Sequence, residues 1–110
     1  MEHTVTEKDG VSVVALSGDV DLESSPIARE VLLEAVAQNK PVLADLANVD
    51  YIDSSGIASL VETLQAAKSN GNGFGLVQVS ESALRVLELA RLDKVFSIYP
   101  TIDEGVKNES

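Results

Sequence analysis

There is no cysteine in this chain, which removes disulfide staples, a thiol nucleophile and any Cys-ligated metal. Tryptophan is also missing, and two Phe and two Tyr are the whole aromatic complement, so the core has to come from Val, Leu, Ile and Ala. His3 is the only imidazole. It falls in a stretch of strand character away from any carboxylate cluster, where it reads as a surface residue, and neither a metal site nor a Ser-His-Asp triad has another to draw on. Asp53-Ser54-Ser55-Gly56 does not match the Gly-x-Ser-x-Gly elbow of a hydrolase. No enzymatic activity, metal or cofactor is therefore expected. No apolar run approaches a membrane span, and Met1-Glu2-His3-Thr4-Val5 lacks the basic and apolar regions of a secretory signal. The expected location is the cytoplasm, without membrane insertion.

Positive charge is scarce as well. Eight Lys and Arg stand against eighteen Asp and Glu, a formal net charge of -10, which opposes direct binding to nucleic acid or to anionic membranes. The imbalance is concentrated in residues 1–55, with three basic and eleven acidic side chains, against five and seven in residues 56–110. Most of these carboxylates serve as a solvated surface.

What is present is a foldable pattern. At 110 residues and 45% apolar, the chain has the length for one core, and residues 1–110 are expected to form a single domain. Thr4–Lys8 and Val11–Ser17 read as strands around an Asp9-Gly10 hairpin turn. A polar loop from Gly18 leads to a helix with Ser25 as N-cap and Pro26 as first helical residue; its apolar positions Ile27, Val31, Leu32, Ala35 and Val36 run towards Asn39. Pro41–Leu46 reads as a buried strand. A helix from Ser54 follows, with Ile57, Leu60, Val61, Leu64 and Ala67 on one face, ending near Gly71. Phe74–Val79 is the next strand, Ser80 to Ala90 a third helix, Val95–Tyr99 an edge strand, and Thr101 with Glu104 a capping box. This alternation predicts an α/β fold, a mixed sheet of four or five strands with helices mainly on one face and the first hairpin at its edge.

Gly71-Asn72-Gly73-Phe74-Gly75 follows a helix and opens a strand, the reverse of a phosphate-cradling loop, and reads as a turn. Ile52-Asp53-Ser54-Ser55-Gly56 is more informative. Asp53 or Ser54 can cap the following helix, but one cap needs one of them, and tandem serines leave a hydroxyl to present outward. A phosphate placed there would meet backbone amides and the positive end of the helix dipole, and would add about -1.5 to -2 charges beside Asp50 and Asp53.

The segment Leu46-Ala47-Asn48-Val49-Asp50-Tyr51-Ile52-Asp53-Ser54-Ser55-Gly56 follows Gly18-Asp19-Val20-Asp21 and precedes Leu84 to Phe96 (LRVLELARLDKVF). Over nearly the whole chain this resembles a STAS domain of the bacterial anti-sigma factor antagonist type. The resemblance implies a STAS-type fold with Ser54 as phosphoacceptor. It further implies a partner-binding surface around Asp21, Asp53, Ser55, Gly56 and Ile57. The unphosphorylated form would bind an anti-sigma factor serine/threonine kinase and free the sigma factor; phosphorylation would release the kinase, and a phosphoserine phosphatase would reset the switch. A monomer is expected when free. Where members often read Gly-Leu-Gly, this chain has Gly56-Ile57-Ala58, which stiffens the first helical turn. Two other readings are open to this sequence: an accessory STAS subunit of a lipid-transport ABC system, which shares the fold, and a nucleotide-binding module, for which no phosphate loop is present.

Overall fold

A computed structural model describes residues 1–110. Five strands form one sheet in the order β1-β2-β3-β4-β5. The strands are β1 (Glu2–Lys8), β2 (Val11–Val20), β3 (Val42–Ile52), β4 (Phe74–Val77) and β5 (Ser97–Tyr99). Four helices accompany them: α1 (Ser25–Ala37), α2 (Ser54–Ser69), α3 (Glu81–Leu89) and α4 (Ile102–Glu109). β1 runs antiparallel to β2, and every later pairing is parallel, so the sheet is mixed, as the alternation of elements predicts.

The antiparallel step is made by Asp9 and Gly10, at φ 51° and 81°. Two successive positive φ values are what a two-residue hairpin needs to match the strand twist, and Asp-Gly supplies them at low cost. The hairpin does not lie wholly at the edge, however. β2 sits between β1 and β3 because its residues are buried on both faces, Val14, Leu16 and Val20 on one and Val11 and Val13 on the other. Of the two hairpin strands, β1 alone is at an edge of the sheet, and β5 is at the other.

The two faces are covered unequally. α1, α2 and α3 share one core with the sheet, contributing Leu32, Val36, Leu60, Leu64 and Leu87. Phe74 and Phe96 meet edge-on in it, ring centroids 6.4 Å apart. On the opposite face α4 alone places Val106 against Val11, Val13, Leu43 and Val77. Full burial of a side chain such as Leu60 or Leu87 contributes roughly 1.5–3 kcal/mol.

Several boundaries differ from the sequence reading. β3 continues six residues past Leu46, because Asn48 to Ile52 pair with Ser17 to Val20 across two register shifts. β4 stops at Val77, where Gln78 takes φ 53° and turns the chain out of the sheet. β5 begins only at Ser97, after Phe96 has turned into the core. The N-cap position of α1 is Ser24 rather than Ser25, and its hydroxyl makes no cap bond to the helix. In the last helix, Thr101 Oγ1 accepts from the Glu104 amide at 3.1 Å.

Candidate functional site

The extension of β3 decides where the site lies. Ile52 ends the strand opposite Val20, the last residue of β2, and the Asp53 amide donates to the Val20 carbonyl at 3.2 Å. The start of α2 is thereby fixed beside the loop that follows β2, at the carboxyl ends of two parallel strands. Binding sites in open α/β sheets lie outside these ends.

Asp53 is the N-cap of α2. Its Oδ1 accepts from the Ser55 amide at 3.0 Å, the Gly56 amide at 3.1 Å and the Ser55 hydroxyl at 2.6 Å. Its Oδ2 accepts from the Leu22 amide at 3.1 Å, which ties the β2–α1 loop to the helix start. These bonds favour the charged form and hold the Asp53 carboxyl below its usual range, the Ser55 hydroxyl contributing most and burial opposing. Asp21 organises the loop from its other side. Its Oδ1 accepts from the Ser24 amide at 3.0 Å and the Glu23 amide at 3.1 Å, with the Ser24 hydroxyl 3.1 Å away. The Ser24 amide and then its hydroxyl lower the Asp21 pKa, while the negative charge of Asp53 pushes the other way. Two ionised carboxylates thus face one another across the loop.

The two serines have different tasks. The Ser55 hydroxyl is committed to Asp53, whereas the exposed Ser54 hydroxyl has no hydrogen-bond partner within the chain. The amides of Ser55 and Gly56 are not free for a phosphate, contrary to the expectation from sequence, because the Asp53 carboxylate already occupies them. Nor does Arg29 supply an uncommitted cation from the shallow groove that it forms with Ser25, Pro26, Ser55 and Ser59. Its guanidinium is paired with Glu62.

Gly56 and Ile57, which the resemblance places on a partner-binding surface, are buried. Ile57 is only 6% exposed and packs in the main core, because it points from α2 towards the sheet. A Cβ on Gly56 would stand 2.7 Å from both Ile52 Cγ1 and the Val20 carbonyl oxygen, so glycine is what lets α2 approach the strand ends this closely. Asp21, Asp53 and Ser55 are partly exposed, and Ser54 is exposed. Sequence reasoning passed over Leu22 and Tyr51, large apolar side chains that are 78% and 52% exposed beside this site, and Ile27, counted on the apolar stripe of α1, is 50% exposed rather than in the core. The available signal was Leu22 itself, a lone large apolar residue inside a polar loop. Between the strand end and α1, Met1, Asp19, Asp21, Glu23, Ser24 and Ile27 line an open cleft of about 450 Å³. No group of three His, Asp or Glu side chains is arranged to hold a metal ion, and no helix is long and apolar enough to cross a membrane.

A mixed sheet with an acidic-capped helix start at its carboxyl edge defines the class, and comparison with known proteins agrees. The STAS domain model matches residues 2–105, and the chain belongs to the STAS domain family, within it to the anti-sigma factor antagonists. It is 30% identical over 104 residues to the anti-sigma-F factor antagonist RsfB of Mycobacterium tuberculosis, covering 94% of this chain and 84% of that one. Identity to the anti-sigma-B factor antagonist of Bacillus subtilis is 29% over 94 residues, 86% of each chain. An anti-sigma factor antagonist from Mycobacterium paratuberculosis superposes with a TM-score of 0.87 at 33% identity, covering 96% of this chain and 91% of that one. Anti-sigma factor antagonists are regulators rather than enzymes.

Proposed function

We propose that the protein works in the cytoplasm by partner switching: unphosphorylated, it binds an anti-sigma factor serine kinase and frees the sigma factor, and phosphorylation of Ser54 ends that binding. The observation that carries this reading is the division of labour between the serines, Ser55 bonded to Asp53 and Ser54 exposed with its hydroxyl unengaged. In the transfer, Ser54 Oγ forms a bond to the γ-phosphorus of ATP as the bond to ADP breaks. Asp53 is a poor acceptor for the hydroxyl proton, since four donors hold it ionised, so the base belongs to the kinase.

The phosphate would then stand beside Asp53 and Asp21 with the nearest helix amides already taken and no uncommitted cation supplied by Arg29. Like-charge crowding at a docking face expels a partner that tolerated the neutral hydroxyl. The face that meets the kinase is built from Asp21, Asp53, Ser54 and Ser55 with the apolar Leu22 and Tyr51 at its margin; Gly56 and Ile57 hold the helix beneath it. A phosphoserine phosphatase restores the binding form. The test is incubation with the cognate kinase and ATP followed by mapping of phosphate by mass spectrometry. Modification of Ser54 that is abolished by Ser54→Ala and kept by Ser55→Ala is the expected result; a chain that takes up no phosphate would overturn the mechanism.

A further inference from the structure

β1 has one edge occupied by β2 and the other open, and all seven of its residues are exposed. Open edges are normally guarded by charge, proline or bulges against pairing with other strands. This one carries charges, Glu2, Glu7 and Lys8, but their order along the strand gives them a second property.

Two copies that pair their β1 edges antiparallel are related by a twofold axis perpendicular to the sheet. That axis keeps each face continuous, so opposed residues share a face, and it must pass between two copies of the same residue. With Val5 on the axis, Glu2 of one copy faces Lys8 of the other, His3 faces Glu7, Thr4 faces Thr6, and Val5 faces Val5. All seven residues are then in register, and every pair is complementary: opposite charge, imidazole with carboxylate, hydroxyl with hydroxyl, β-branched with β-branched. Moving the axis to Thr4 or Thr6 sets Glu2 opposite Thr6, or Lys8 opposite Thr4, and leaves the ends unmatched. From this register we infer that β1 is a self-association edge whose occupant is a second copy of this chain, in place of the free monomer expected from sequence.

Within the chain, Lys8 is paired with Asp103 and Glu7 with Lys40. Both pairs are exposed and hold little energy, and the ammonium and carboxylate groups involved have bonding capacity left for a cross-copy partner. The contact is a backbone ladder of about six to eight hydrogen bonds with one row of side chains on each face. That is narrower than a stable interface, so the dimer is weak and concentration-dependent. It continues the sheet from five strands to ten. Because the two copies run in opposite senses, their Asp53–Ser54 ends point away from each other and stay open.

A chain without cysteine permits a direct test by single substitutions. Directly opposed residues have Cα atoms about 4.5–5.5 Å apart, inside the range of a disulfide, so Val5→Cys should form an intermolecular disulfide under mild oxidation. His3→Cys and Glu7→Cys should each fail to link to themselves, since like positions lie more than about 12 Å apart, yet should link when mixed. Sedimentation supplies the second arm. Lys8→Glu or Glu2→Lys alone should raise the dimer dissociation constant about tenfold, and the two combined should restore it. Val5→Cys linking no faster than His3→Cys alone, or a wild-type chain that sediments as a monomer up to millimolar concentration, would overturn the inference.

Discussion

At the residue scale the site turns on how one carboxylate is spent. Asp53 caps α2, orders Ser55 and holds Leu22, and in doing so it withdraws from a phosphate the amides that a helix start would otherwise offer. Ser54 is then left with a free hydroxyl in a field of negative charge. On the proposed switch, Ser54→Asp should therefore weaken binding to the kinase by at least about tenfold, while Ser54→Ala should bind like the unmodified chain; titration calorimetry compares them. The same carboxylate sets an acid limit on stability. Asp53 and Asp21 have folded pKa values below their ordinary values, so their contribution is complete above the ordinary carboxylate pKa, near about pH 4, and is lost as pH falls through the folded values. Urea midpoints measured on either side of that window should show a shallower acid limb for Asp53→Asn than for the parent. An unchanged limb would mean that the cap contributes no linkage.

At the scale of elements, α2 can approach β2 and β3 only through Gly56. Gly56→Ala puts a methyl group 2.7 Å from a backbone carbonyl, which cannot retreat without moving the strand end. A loss of about 1–3 kcal/mol is expected from urea unfolding, with weaker kinase binding because Asp53 and Leu22 move with the helix. Two positions on, the exposed Ala58→Gly should cost only up to about 1 kcal/mol and leave phosphorylation of Ser54 unchanged. Contrasting these two substitutions separates close packing from helix propensity. Much at this scale was legible from the sequence: the Asp9-Gly10 turn, the helix beginning at Ser54, and the cap at Thr101 follow from side-chain chemistry close in the chain, whereas Ser80, read as the first residue of the third helix, is its N-cap. The second half of β3 was not legible. Ala47, Asn48, Asp50 and Tyr51 are exposed and read as loop, and they are strand only because β2 reaches far enough to pair with them. Ile57 received two readings, the apolar face of α2 from helical spacing and the partner surface from the resemblance, and its burial in the core follows the first.

For the whole molecule, the sign and placement of charge govern how partners arrive and leave. Eleven of the eighteen carboxylates lie in the first 55 residues, including Asp19, Asp21, Glu23, Asp50 and Asp53 around the strand ends, and the net charge is -10. Such a surface draws in a basic partner and speeds encounter more than it tightens the final complex. The association rate with the kinase should accordingly fall as salt is raised from 50 to 500 mM, by about tenfold or more, while dissociation changes much less; stopped-flow mixing resolves the two. Asp19→Asn combined with Glu23→Gln, both exposed and outside the Asp53 cap, should flatten that dependence and leave the fold intact. The proposed phosphate on Ser54 would act on the same field without a new set of local bonds to form, since the neighbouring amides are already occupied by Asp53. Amide chemical shifts of the phosphorylated chain should move in the loop after β2 and the first turns of α2 and stay in place in β4, β5 and α4. A shift pattern spreading through the sheet would show that release is conformational rather than electrostatic.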